Sequence, residues 1–296
     1  MLLNRRDFVK RAAVAAAALP AWTPIKARGE SAPPIRVGMT DWNLGLRGDI
    51  TKIALARQIG LDGIQVSLIF PADGGLHLRD PRIQAQFKQA ALENGIQICS
   101  LAIGSPGKSR LPLHTNPAAA ILLVEAIEVA RNIGTTDILL PILGDSHIDM
   151  SNQREVETFV AMMKEVARYA EKAGVTVAIE DWLSADDNLR LLDAIGSDYV
   201  GIYYDARNIK SRLHDPYGEP ARLGRRIHQV HVKNGPKLLR EPELVDWPRL
   251  AQEYYQIGYR GWYVLETDAP SKDVIADARA NAEYVRATFR MPEAAA

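Results

Sequence analysis

Cysteine is almost absent. Cys99 stands alone, so no internal disulfide can form. An excess of one charge is absent as well, since 36 Lys plus Arg residues balance 36 Asp plus Glu. That leaves no global basic field to attract nucleic acid or an anionic membrane, although a local phosphate-binding patch stays compatible with it. No apolar run is both long and hydrophobic enough to span a bilayer. No glycine-rich fingerprint follows the first strand-like run, where "VGMTDWNLG" stands instead, which counts against a doubly wound dinucleotide-binding sheet. Neither a linker nor a low-complexity segment interrupts the interior of the chain. What is present is ample apolar content, 47% of 296 residues, enough for one large core.

The N-terminus reads "NRRDFVKRAAVAAAALPA": a charged start, an Ala-rich apolar run, then Pro20 and Ala21. This is the n-region and h-region order of an export signal. Arg5 and Arg6 followed by Phe8, Val9 and Lys10 resemble the bacterial twin-arginine signal. The alternative is a basic, Ala-rich first helix of the fold. The resemblance implies passage through the twin-arginine export machinery in a folded state, with cofactor already loaded, and a periplasmic or otherwise exported location. Cleavage is open to a site after Ala21 or after Ala27. Residues 1–34 are therefore set aside as signal and linker, residues 35–291 as the folded domain, and 292–296 as a tail.

From Ile35 onward, short apolar runs alternate with longer helical patterns. "IRVGM", "GIQVSL", "IQICSLAI", "DILLPIL", "VTVAIE", "YVGIYYD", "IHQVHV" and "GWYVLE" are rich in Val, Ile, Leu and Tyr, as buried parallel strands are. Between them lie amphipathic stretches ending at Gly60, Gly95, Gly134 and Gly174, with Pro81 and Pro117 at helix starts. A helix end, tight loop and strand start recur in "IGLDGIQV", "IGTTDILL", "KAGVTVAI" and "IGYRGWYV", with a period of roughly thirty residues. Eight such units predict an α/β fold, a single-domain (β/α)8 TIM barrel. A doubly wound open sheet is the alternative.

In such a barrel the strand C-termini form the active-site face. "VAIEDW" ends the fifth strand with Glu180, "IYYDARN" the sixth with Asp205, and "YVLETD" the eighth with Glu266, while the seventh carries His231. Each has a bland reading by itself. A strand-end His is often bonded within the core, Glu180 or Glu266 could pair with Arg207 or Arg240, and Asp205 could cap the next turn. Together they place three carboxylates and an imidazole at one level. Burying those carboxylates without a cation is costly, so the pattern points to one divalent metal ion. An oxygen-rich set with one imidazole suits Mn²⁺, Co²⁺, Mg²⁺ or Zn²⁺. Trp42, Gln65, His147, Trp182, Asn208 and Lys233 fall near predicted strand ends and are candidate substrate contacts. His228 and His231 are three apart on a strand, so only one can face the site.

The order Glu, Asp, His, Glu on strands five to eight, with "IEDW", "DARN", "HVKNG" and "LET", resembles the xylose isomerase-like sugar isomerases and epimerases. Within them the closest likeness is to the ketose 3-epimerase and sugar phosphate isomerase/epimerase group. The likeness covers nearly all of residues 35–291. Asp181 and Asn234 depart from it, where the family commonly has Asn and Asp. The resemblance implies a sugar or keto-sugar substrate and proton abstraction beside a carbonyl, through an enediolate. It also implies that Glu180 and Glu266 are both metal ligands and proton carriers. Return of the proton on the other face gives epimerisation, and return to the adjacent carbon gives isomerisation. If a leaving group lies β to the carbanion, the same site performs elimination, as in a 3-keto-glycoside lyase. A DNA-repair endonuclease on this fold would bring more His ligands and a basic face. A non-catalytic periplasmic carbohydrate-binding barrel would need a pocket but not both glutamates. No nucleic-acid partner is expected, and the oligomeric state is left open.

Overall fold

The computed structural model describes residues 34–69, 77–103, 120–212 and 214–290. The expected export segment, save Pro34, lies outside the described residues, as do Pro117 and the tail at 292–296. Among the described residues there are eight strands: β1 (Arg36–Thr40), β2 (Gly63–Leu68), β3 (Gln97–Ile103), β4 (Asp137–Pro141), β5 (Thr176–Glu180), β6 (Val200–Asp205), β7 (Ile227–Val232) and β8 (Trp262–Leu265). Each pairs in parallel with its successor, and β8 pairs with β1, so the sheet closes into a barrel. The helices between them are α1 (Thr51–Ile59), α2 (Pro81–Asn94), α3 (Ala120–Ile133), α4 (Gln153–Ala173), α5 (Ala185–Ile195), α6 (Ala206–Ser211), α7 (Glu219–Leu223), α8 (Trp247–Gln256) and α9 (Val274–Thr288). This is the (β/α)8 barrel expected from the repeat. No helix among the described residues is long and apolar enough to cross a membrane.

Local chemistry sets the helix ends. Asp80 accepts from Arg82 N at the start of α2, with Pro81 in its first turn. Ser184, Asp246 and Asp273 cap α5, α8 and α9 in the same way. α4 stops where Gly174 turns to φ 67°, a left-handed conformation that costs a side-chain-bearing residue more. Along α4, Phe159, Met163, Val166 and Ala170 form one buried stripe. Burying each of the larger apolar side chains contributes about 1.5–3 kcal/mol.

Strand alternation separates two cores. Outward residues such as Val230, Val232, Tyr204 and Tyr263 join the layer under the helices. Inward residues, among them Cys99, Ala102, Leu139, Ala178, Tyr203, Trp262 and Val264, fill the barrel. Trp262 sits at the first position of β8, and a Cβ on Gly63 would come within 2.8 Å of its ring. The same period of two continues upward. Ala178 is followed two residues on by Glu180, Tyr203 by Asp205, Gln229 by His231 and Val264 by Glu266. The chemistry-bearing side chains therefore inherit the inward direction. His228 falls out of this series and lies half-buried with Nδ1 3.6 Å from Asp137 Oδ1, as the three-residue offset predicted.

A buried carboxylate ties α5 to α7. Glu219 Oε1 accepts from Ala185 N at 3.0 Å, and its Oε2 lies 3.0 Å from Tyr204 Oη, which is also 3.0 Å from the Pro216 carbonyl. One phenol proton cannot serve both oxygens, so a protonated Glu219 that donates to Tyr204 satisfies the trio. Burial raises the Glu219 carboxyl above its ordinary value. A raised folded-state pKa gives stability that is present below about pH 4.5 and is lost as pH climbs through the folded value. Glu219→Gln, a mimic of the protonated acid, should match the parent near pH 4 and exceed its thermal midpoint increasingly toward neutral pH. Parallel pH-independent midpoints would remove this account.

Candidate metal centre

Four strand ends bring Glu180, Asp205, His231 and Glu266 together, with one donor atom from each lying within 4.8 Å of all the others. Asp205 and His231 are register partners on β6 and β7. Glu266, one residue past β8, is held by its backbone N–H donating to Val232 O at 3.1 Å. His231 is fully buried, and its Nδ1 faces Glu180 Oε1 at 3.1 Å, Glu266 Oε2 at 3.2 Å and Asp205 Oδ2 at 3.9 Å.

Each ligand candidate divides its atoms between architecture and the centre. Asp205 Oδ1 accepts from Arg207 N and Asn208 N, both at 2.9 Å, and so caps α6. Its Oδ2 is left facing the cluster, 2.7 Å from Lys233 Nζ. The capping reading thus holds for one oxygen, and the other is free to face the cluster. Glu180 Oε1 accepts from Asn208 Nδ2 at 3.0 Å. Glu266 Oε1 accepts from Trp42 Nε1 at 3.3 Å, and Oε2 from Lys233 Nζ at 3.0 Å. Arg207 pairs with Glu243 rather than with Glu180 or Glu266.

The charges explain the proton affinities. Burial raises the Glu180 carboxyl, more than the nearby His231 lowers it. Burial also acts to raise Asp205, but Lys233 and His231 outweigh it and hold that carboxyl low. For His231 burial opposes the charged ring, and the facing Glu180 and Glu266 more than reverse this, so its pKa is raised. Lys233 is raised in the same way, by Asp205, Glu266 and Glu180 against burial.

The residues fit a divalent cation. Three carboxylates and one imidazole are a hard, oxygen-rich donor set. Bonds of about 2.0–2.2 Å place opposite ligands about 4.0–4.4 Å apart, comparable with the spread of the four donors. Asp205 Oδ2 is buried and accepts no well-directed hydrogen bond, and with the Lys233 ammonium 2.7 Å to one side it keeps a lone pair for a further cation. Three carboxylate charges also exceed what Lys233 alone balances.

Of the six candidate substrate contacts, four touch this cluster. Trp42 bonds Glu266, stands edge-on to His231 with ring centroids 6.2 Å apart, and carries the Arg47 guanidinium 4.8 Å from its ring centre. Asn208 bonds Glu180, and Lys233 joins Asp205 to Glu266. Gln65 is fully buried and meets His231 on the side away from the carboxylates, with Oε1 3.0 Å from Nε2. His147 and Trp182 pair with each other at 5.2 Å between rings, and Arg212 lies 3.8 Å from the Trp182 ring centre.

The two departures from the resembling pattern have structural partners. Asn234 uses both ends of its amide: Nδ2 donates to Leu238 O at 2.9 Å, and Oδ1 accepts from Trp247 Nε1 at 3.2 Å. An Asp could not make the first of these as an anion. Asp181 Oδ1 accepts from Leu183 N at 2.9 Å and Asn188 Nδ2 at 3.0 Å, and burial pushes its carboxyl up to about 7. Asp41 escaped the sequence reading altogether. It is buried and accepts from Ser67 N, Ser67 Oγ and Gly48 N at 2.8, 2.6 and 2.7 Å, pinning the loop that carries Trp42 to the end of β2. Its only sequence signal is an acid directly after the first strand.

The sequence matches the family described as xylose isomerase-like TIM barrel over residues 53–288. No curated protein sequence matches it. Among solved structures, it is similar to a D-psicose 3-epimerase from Clostridium cellulolyticum crystallised with D-tagatose. The two are 16% identical, over 87% of this chain and 100% of that one, with a TM-score of 0.70. It is also similar to a 3-keto-D-glucoside 4-epimerase from E. coli, at 14% identity over 86% and 99% with a TM-score of 0.70. A sugar phosphate isomerase/epimerase from Parabacteroides distasonis gives 16% over 91% and 98%, with a TM-score of 0.69. At such identities these likenesses show the fold.

Proposed function

The chain belongs to the xylose isomerase-like TIM-barrel family, and from that membership we propose that it is a divalent-metal-dependent sugar isomerase or epimerase. The observation that carries the reading is the convergence of Glu180, Asp205, His231 and Glu266. Its substrate class is a small sugar or keto-sugar, in keeping with structural neighbours named for a ketose and a 3-keto-glucoside.

Glu180 Oε1, Asp205 Oδ2, His231 Nδ1 and Glu266 Oε2 would hold the metal. Bound there, it supplies Lewis-acid polarisation of a carbonyl and favours loss of the neighbouring C–H proton. The rest of the work belongs to the chain. Glu180 and Glu266 come from different strands, so they can address a substrate from two directions, one taking the proton and the other returning it. Asn208 fixes the Glu180 carboxylate, while Trp42 and Lys233 fix that of Glu266. Glu180 is buried, which suits a group that must keep a proton from solvent between two steps.

The direct test is elemental analysis of the full chain beside His231→Ala, followed by ¹H/²H exchange at carbon in a panel of ketoses and 3-keto-glycosides. About one metal per chain is expected in the parent, with affinity at least ~100-fold weaker in the variant. Exchange should require the metal. Product analysis then separates epimer, isomer and eliminated product. A folded parent that takes up none of Mn²⁺, Co²⁺, Mg²⁺ or Zn²⁺ would leave the carbohydrate-binding barrel as the better reading.

A further inference from the structure

His231 has two ring nitrogens, and the fold treats them differently. Nδ1 points at the carboxylates. Nε2 points into the fully buried barrel interior, where its partner is Gln65 Oε1 at 3.0 Å. Gln65 is itself held from behind, because its Nε2 lies 2.8 Å from Ser100 Oγ and 3.0 Å from Tyr203 Oη. Both amide hydrogens are engaged, so the carbonyl end is the one turned to the ring. Four strands contribute to this chain of contacts: β2 (Gln65), β3 (Ser100), β6 (Tyr203) and β7 (His231). The Tyr203 ring also packs on the His231 ring, with centroids 4.4 Å apart, and limits its rotation.

We propose that Gln65 is the positioning residue that commits His231 to ligation through Nδ1, by accepting the proton that a neutral ring must then carry on Nε2. The proposal rests on the metal-centre reading above and goes beyond it, since that reading needs an imidazole but not a particular supporter. A neutral imidazole carries one proton. If Nδ1 offers its lone pair to a cation, the proton sits on Nε2 and needs an acceptor. Water does not reach a side chain with no exposed surface, and Gln65 Oε1 fills the role. If the Gln65 amide were turned over, an N–H would face Nε2. The ring would then have to keep its proton on Nδ1, pointing at Glu180 and Glu266, where it obstructs a cation. Amide orientation and metal affinity are therefore linked through the ring. Ser100 and Tyr203 act one step further back by holding the amide.

The test uses the full chain and Zn²⁺ as the probe. Gln65→Met keeps the length of the side chain and removes the acceptor. Its Zn²⁺ affinity, read by chelator competition, is expected to fall about 10–100-fold. Gln65→Glu restores an acceptor and should return affinity toward that of the parent. A merely structural role would lower the thermal midpoint without this pattern of rescue. A measurement on the parent needs no variant: long-range ¹H–¹⁵N correlation of the Zn²⁺-loaded protein should show His231 protonated on Nε2 and coordinated through Nδ1. Coordination through Nε2, or parental affinity in Gln65→Met, overturns the proposal while leaving the metal centre intact. If the parent binds none of Zn²⁺, Mn²⁺, Co²⁺ or Mg²⁺, the metal-centre reading fails first and this inference falls with it.

Discussion

Glu180→Gln and Glu266→Gln should each lower turnover by roughly 10²–10⁴-fold at saturating metal, the range expected when a positioned acid or base is lost. Gln preserves shape and an oxygen donor but cannot take a proton at neutral pH. The two variants should differ in character. The Glu180 side chain is 7% exposed and shares its Oε1 with Asn208 and His231, whereas that of Glu266 is 22% exposed and bonded by Trp42 and Lys233. Glu180→Gln should therefore weaken metal binding as well. Glu266→Gln should keep more of the metal and lose chiefly kcat. Solvent ¹H/²H exchange in the accepted substrate separates the steps. If the two carboxylates serve opposite faces, one variant loses exchange while the other retains a slow half-reaction without net epimerisation. Near-parental turnover in both would exclude proton transfer by these carboxylates.

Lys233→Met should be the most destabilising single change at the centre once metal is removed by chelation. Its ammonium lies 2.7 Å from Asp205 Oδ2 and 3.0 Å from Glu266 Oε2, in a group of three carboxylates. Removing one partner of a buried ion pair costs about 3–5 kcal/mol, because the remaining charge stays desolvated and unpaired. A divalent cation supplies positive charge to the same oxygens. Adding metal should therefore raise the thermal midpoint of the variant more than that of the parent, and narrow the gap between them. At one fixed metal concentration a hundredfold above the parent's Kd, the linkage is worth about 2.7 kcal/mol for the parent and more for the variant, whose oxygens then bind the cation more tightly. The extra rise in the variant is what identifies a shared electrostatic role. An unchanged gap with and without metal would mean that Lys233 and the cation act independently.

Much of this architecture was legible in the chain. "DILLPIL", "VTVAIE" and "YVGIYYD" became β4, β5 and β6, and glycines expected to stop helices follow Ile59, Asn94, Ile133 and Ala173. Buried strands and capped helices write themselves locally, because a strand sealed on both faces must be apolar and a helix must satisfy its own ends. The grouping of Glu180, Asp205, His231 and Glu266 was legible for a related reason. A closed parallel barrel puts every strand end on one rim, so equal positions along successive units become neighbours in space.

Pairings between distant residues were not legible, because they depend on which atoms face one another. Gln65 read as a polar residue near a strand end and a candidate substrate contact. Closure of the barrel instead places it 3.0 Å from a ring nitrogen 166 positions away, with no surface left. Nothing in the sequence signalled that Asp41 anchors the Trp42 loop to Ser67, or that Asp205 divides its oxygens between a helix cap and the cluster with Glu180, His231 and Glu266. By itself the sequence determined the repeating unit, the number of strands and the residue types on their ends, all products of periodicity and local propensity. Only the tertiary structure decided which nitrogen of His231 faces the carboxylates, what holds its other nitrogen, and where Lys233 lies. Those outcomes follow from strand register and rotamer choice in a sealed interior, where each polar atom must find its partner across the barrel.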